Sequence, residues 1–155
     1  MTSKAFEQII KQYGGTVYRV ALSRLGNPDS AQDVYQQVFL LLFEKKPQFS
    51  CTEQLQVWLM RAAIKYAANE RRRQSDVHTE GTVAEAHYTD DIQSEFADLL
   101  NTLPESLRDV TLLFYIEDMS VNDVAAALGI SRANVKTRLS RARKILEKIY
   151  KEELL

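Results

Sequence analysis

Apolar residues recur at three- and four-residue spacing along nearly the whole chain, and no convincing period-two run interrupts them. That pattern leaves an all-α fold as the reading, because a strand needs alternation and a helix needs a stripe. One stretch breaks the rhythm. "QSDVHTEGTVAEAHYTDD", residues 74–91, is polar, acidic and aperiodic, as an exposed flexible linker would be. The expectation is two small helical domains, residues 1–73 and 92–155, joined by an acidic linker at 74–91. Cores of that size bury only about 60% of their unfolded surface, so a docked partner would help each of them.

The first half reads as three helices. Phe6, Ile10, Tyr13, Val17 and Val20 form one stripe ending near Gly26, with Gly14 and Gly15 either weakening the helix or marking close packing. Asn27 and Pro28 suit an N-cap and first helical residue, with Ala31, Val34, Val38, Leu41 and Leu42 inward and a stop before Pro47. Leu55, Trp58, Leu59, Ala62, Ala63 and Tyr66 then line a third helix ending in "NERRRQ".

The second half pairs Ile92, Phe96, Leu99 and Leu103 on one helix with Leu107, Val110, Leu113 and Phe114 on the next, opened by Pro104. Ser120 with Asp123 signals a short helix carrying Val124, Ala125 and Leu128. Gly129 supplies a left-handed turn and Ser131 a cap for a final helix packed by Val135, Leu139, Ala142, Leu146 and Ile149. A short helix, a glycine turn and a capped basic helix outline a helix-turn-helix, whose second helix enters the DNA major groove.

Charge supports that outline. Eight of the 20 basic residues but one of the 21 acids fall within residues 129–151, giving that segment about +7 on a chain of net charge -1. Such a split suits a polyanion-binding element on a body that avoids indiscriminate binding. Ala133, Lys136, Thr137, Ser140 and Lys144 lie opposite the apolar stripe. The small and polar ones let the backbone approach base edges, Lys136 can donate to guanine, and Arg132, Arg141 and Lys144 can hold phosphates.

Segments "LPESLRDVTLLFYIEDMSVNDVAAALGISRANVKTRLSRARKIL", "GNPDSAQDVYQQVFLLLFEKKPQF" and "VWLMRAAIKYAANERRR" resemble, in order, the sigma-4 domain and the two main helices of the sigma-2 domain of sigma-70 family factors, particularly the extracytoplasmic-function type. The resemblance implies binding to core RNA polymerase, promoter recognition and duplex opening. By position, Asp33, Gln36 and Gln37 would face the clamp coiled coil of the polymerase's largest subunit. Phe49, which could equally be a core residue, would meet the minus-ten element, with Arg61, Lys65, Asn69, Arg72 and Arg73 nearby; Arg71 belongs to the same basic cluster. Arg132, Ala133, Lys136, Thr137, Ser140, Arg141 and Lys144 would meet the minus-thirty-five element. Trp58 is assigned mainly to packing. Lys65, Asn69 and Gln37 depart from the Asn, Asp and Glu often found there in the family. The N-terminus leaves little room for the short helix many members carry before "AFEQII".

An anti-sigma factor is a further partner that the resemblance implies. Charge alone suggests that Asp76, Glu80, Glu85, Asp90 and Asp91 could compete with DNA for the last helix. The alternative is a helix-turn-helix regulator that binds duplex DNA without polymerase. No enzyme, cofactor or metal site is expected: His78 and His87 sit in the linker, Cys51 stands apart from both, and no phosphate-binding glycine loop occurs. A single cysteine, no secretory signal and no apolar run near 20 residues point to a cytoplasmic protein without membrane insertion.

Overall fold

The computed structural model describes residues 2–76 and 94–154, all helical or connecting, with no strand among them. The chain divides into two compact units, residues 1–91 and 92–155.

The first unit is a three-helix bundle of α1 (Ser3–Leu25), α2 (Pro28–Lys45) and α3 (Thr52–Asp76). Thr2 Oγ1 accepts the Ala5 N–H at 3.1 Å, and Gly26, at φ 68°, closes α1 by donating its N–H to the Leu22 carbonyl. Asn27 Oδ1 then accepts from the N–H groups of Asp29 and Ser30 at 2.8 and 3.2 Å, opening α2 behind Pro28 as the sequence predicts. Two residues thus reverse the chain. Val17, Val20 and Leu22 meet Val34, Val38 and Leu42 and, from α3, Leu59, Met60 and Ala63, all at most 2% exposed. Burying each of the large ones contributes roughly 1.5–3 kcal/mol. Gly14 marks close packing: a Cβ there would lie 3.1 Å from the Tyr35 ring. Phe39, not Leu41, is the buried member of its pair, its ring tilted 59° against Tyr35 at 4.9 Å between centroids.

Helix α3 runs through Asp76, past Arg73, because its last turns are tied down. Arg71 Nη2 donates to the Arg24 carbonyl at 2.8 Å, meeting one of the open acceptors at the end of α1. Gln74 Nε2 donates to Ser30 Oγ. Arg73 bonds the buried carboxylate of Glu70 at 2.7 Å.

The second unit holds α4 (Ser94–Asn101), α5 (Glu105–Thr111), α6 (Val121–Leu128) and α7 (Arg132–Leu154). Arg108 gathers the end of α4, donating to the carbonyls of Leu100 at 3.2 Å and Leu103 at 3.1 Å. Helix α5 does not simply stop. It widens into a π turn over Leu112–Ile116, the Glu117 N–H reaching back to the Leu112 carbonyl at 3.1 Å. Asp118 follows with φ 55°. The core is Leu100, Leu103, Leu107, Val110, Leu112, Leu113, Val124, Val135, Leu139 and Ala142, each no more than 7% exposed. Leu146 and Ile149 are only half-buried. The acids Glu80, Glu85, Asp90 and Asp91, the histidines His78 and His87, and Ile92 lie outside the described residues, as does the side chain of Asp76.

Candidate nucleic-acid interface

The predicted helix-turn-helix is present with its signals in place. Ser120 Oγ accepts the Asp123 N–H at 3.1 Å, and Gly129 ends α6 at φ 68°. A Cβ at Gly129 would touch nothing within 4 Å, so the glycine is required by the left-handed backbone, not by crowding. Ser131 Oγ accepts the Asn134 N–H at 3.0 Å and starts α7 three residues after α6 ends. Val135, Leu139 and Ala142, at 0, 2 and 0% exposure, seat α7 on the core. Arg132, Ala133, Lys136, Thr137, Arg141 and Lys144 are exposed, and Ser140 is half-buried beside them.

The basic block divides into two populations. Arg138 turns back into the unit, its Nε on Asn134 Oδ1 at 2.9 Å and Nη1 on the Ser106 carbonyl at 3.4 Å. Arg143 Nη1 donates to the Tyr115 hydroxyl at 2.9 Å. Arg132, Lys136, Arg141 and Lys144 are left facing solvent. Thr137 donates its own hydroxyl proton to the Ala133 carbonyl at 3.0 Å, so toward a ligand its oxygen acts as an acceptor.

In the first unit, Arg61, Lys65, Asn69 and Arg72 are all exposed and, at about 100° per residue, fall within one quarter of the circumference of α3. Asn69 Oδ1 accepts from Arg72 Nη2 at 2.7 Å, which aims the guanidinium along that face. Arg73 stands apart from it. The Glu70 carboxylate, by hydrogen bond and then by charge, holds the Arg73 guanidinium further toward its protonated form. Phe49 is half-buried and packs edge-on against Trp58, ring centroids 6.1 Å apart. Trp58 falls on the same arc as Arg61. The sequence assigns it mainly to packing, and it is half-buried against Phe49 while one edge shares this arc.

A second face lies on α2. Asp33, Gln36 and Gln37 are exposed at i, i+3 and i+4, and the same face continues into Leu40 at 57% and Phe43 at 53% exposure. Phe43 rests against Phe6 at 5.4 Å. Leu40 falls off the inward stripe of α2, which is the sequence signal that this face extends beyond Gln37.

Among the described residues, no group of three His, Cys, Asp or Glu side chains could hold a metal ion, and no helix is long and apolar enough to cross a membrane.

A helix-turn-helix with an open cationic face, and a separate bundle bearing a second one, define a promoter-recognition protein of two modules. Family models agree with each: "Sigma-70 region 2" matches residues 9–77 and "Sigma-70, region 4" residues 93–146. The chain belongs to the sigma-70 family. More narrowly, it is a sigma factor of the extracytoplasmic-function type. The "ECF RNA polymerase sigma factor SigW" of Bacillus subtilis (strain 168) is 28% identical over 164 residues, spanning 93% of this chain and 88% of that protein. "RNA polymerase sigma factor SigV" of the same organism is 26% identical over 88% of this chain and 86% of its own length. Among solved structures, the sigma factor RpoE of Bartonella quintana, determined with the anti-sigma factor NepR, aligns with a TM-score of 0.77 at 25% identity, covering 96% of this chain and 98% of that one. Two matched regions in order favour a sigma factor over a regulator that acts without polymerase.

Proposed function

We propose that the three faces divide promoter recognition between them. The α2 face is the docking surface for core RNA polymerase, through the clamp coiled coil of its largest subunit. Asp33, Gln36 and Gln37 supply polar contacts and Leu40 the apolar anchor. The adjacency of Leu40 and Phe43, both more than half exposed on one face of α2 beside three polar side chains, supports this assignment, since contiguous exposed apolar surface, unlike a single exposed leucine, marks a contact surface.

The α3 face holds the minus-ten element. Aromatic stacking beside a positive groove binds melted bases at roughly 1–3 kcal/mol per base. Phe49 and Trp58 stand at the head of the stripe formed by Arg61, Lys65, Asn69 and Arg72. Arg73, its charge offset by the Glu70 carboxylate, contributes its remaining N–H donors from the side. Lys65 offers only donors, so the base preferred there differs from that of relatives with an amide.

Helix α7 reads the minus-thirty-five element. Lys136 donates to a guanine edge, Thr137 accepts from an amino group, Ala133 and Ser140 admit the backbone, and Arg132, Arg141 and Lys144 fix the register on phosphates. Residues 1–73, 74–91 and 92–155 serve as polymerase-binding domain, linker and upstream-element domain. The protein works in the cytoplasm. An anti-sigma factor is a further partner, supported by the NepR complex of the Bartonella quintana protein. Run-off transcription with core polymerase on a randomised promoter library, paired with co-purification of Leu40→Ala and Asp33→Ala variants with core, tests the reading. A chain that binds duplex DNA but neither retains core nor supports transcripts would overturn it.

A further inference from the structure

Arg143 was not among the residues expected to touch DNA, and its surroundings argue that it does. It is exposed, and its polar partner among the described residues is the hydroxyl of Tyr115, a side chain itself 47% exposed on the π turn. A guanidinium carries five N–H donors, of which this contact uses one. The phenol accepts that bond, so its own proton remains free to donate.

The identity of the partner matters. A carboxylate at position 115 would hold the arginine more firmly and cancel its charge; a phenol holds it and leaves the charge intact. The pair therefore presents a fixed cation and a hydroxyl donor at one exposed spot, a combination suited to the oxygens of a phosphodiester.

Its place on α7 agrees. At about 100° per residue, Arg132 and Arg143 share one flank of the helix with Lys136 at its inner edge, and Arg141 and Lys148 share the other, with Ala133, Thr137 and Ser140 between. Arg143 lies about 10 Å along the helix from Lys136. A helix lying in a major groove about 12 Å wide has a phosphate wall on each side.

We propose that Tyr115 and Arg143 form a phosphate-binding pair that grips the DNA strand opposite the one held by Arg141. The inference rests on α7 being the DNA-reading helix. Its test uses the full chain and a mixed-sequence 25-base-pair duplex, with affinity followed by fluorescence anisotropy over a salt series. Arg143→Ala should lower the slope of log K against log salt by about 0.9, and weaken binding about eightfold at 0.1 M, for one phosphate lost. Tyr115→Glu should do at least as much while the thermal midpoint holds or rises, because the arginine stays anchored with its charge cancelled. Tyr115→Phe should give a smaller loss. Unchanged slope and affinity in both Arg143→Ala and Tyr115→Glu overturn the pair, as does a Tyr115→Glu loss that merely tracks a fallen midpoint. Arg141→Ala separates the two levels. If it lowers the slope while the pair does not, only the pair fails; if neither does, or the unaltered chain ignores DNA at low salt, the α7 reading fails with it.

Discussion

Leu139→Ala should unfold one half of this protein at a temperature where the other half is unaffected. Leu139 is 2% exposed at the centre of the second unit, where α7 meets the core. Truncating a leucine so placed costs about 3–5 kcal/mol, the lost transfer energy plus the cavity. A domain of roughly 60 residues has a total stability of about 3–9 kcal/mol, so the change removes a large share of it. At about 4–8 °C per kcal/mol, the midpoint of the second unit should fall by about 12–40 °C. The chain carries its own reporter for the comparison: its one tryptophan, Trp58, sits in the first unit against Phe49. Ellipticity at 222 nm sees the 23, 18 and 25 residues of α1, α2 and α3 together with the 23 of α7 and the shorter helices of its unit. The variant should therefore show an early ellipticity transition with Trp58 fluorescence unmoved, and Leu59→Ala should show the reverse. Retention of core polymerase should survive Leu139→Ala while binding to upstream duplex is lost. A Trp58 transition that shifts as far as the ellipticity does would refute the independence of the two cores.

Three further outcomes follow from local geometry. Lys136→Ala should relax sequence preference at one position of the upstream element at a cost of about 1–3 kcal/mol, whereas Arg141→Ala should weaken all sequences alike; competition binding against single-position duplex variants distinguishes them. Asp118, held at φ 55°, should favour glycine over alanine by about 1 kcal/mol in chemical denaturation, because only glycine enters the left-handed region without a Cβ clash. Glu53, in the first turn of α3, accepts from its own backbone N–H and then from the Cys51 and Thr52 side chains, which holds its carboxyl below the usual range. With the folded pKa depressed, its stabilisation is present above the unfolded value near pH 4.3 and fades as pH falls through the folded one. Urea melts of Glu53→Gln followed by Trp58 should thus differ from the parent at pH 7, and the difference should shrink as pH is lowered past the unfolded value.

What the sequence made legible was whatever depends on short spacing. The Asn27–Pro28 start, the Gly26 and Gly129 stops, the Ser120 and Ser131 caps and the Val135, Leu139, Ala142 stripe all involve partners within four or five residues, and all are found in place. What the sequence left illegible concerns longer reach or unusual hydrogen bonding. No local pattern announces a π turn at Leu112–Ile116, because an apolar run satisfies either helical period. Leu41 and Phe39 are both apolar, and the pattern does not show that Phe39 is the one buried, in contact with the Tyr35 ring. Arg138 and Arg143 look like their neighbours in the basic block, but each is committed to a group 32 or 28 residues away that no spacing rule connects to it. Arg71 meets a carbonyl 47 residues distant, a tie that no local pattern announces.

The commitment of Arg143 to Tyr115 bears on attempts to retarget such a factor. Transplanting α6 and α7 alone, from Ser120 onward, would carry both arginines into a new host and leave the phenol behind. Arg138 would lose little, since a backbone carbonyl stands at position 106 whatever the side chain. Arg143 would arrive without its support. A graft meant to exchange promoter specificity should therefore begin at Glu105, so that the π turn and Tyr115 travel with the helix they steady.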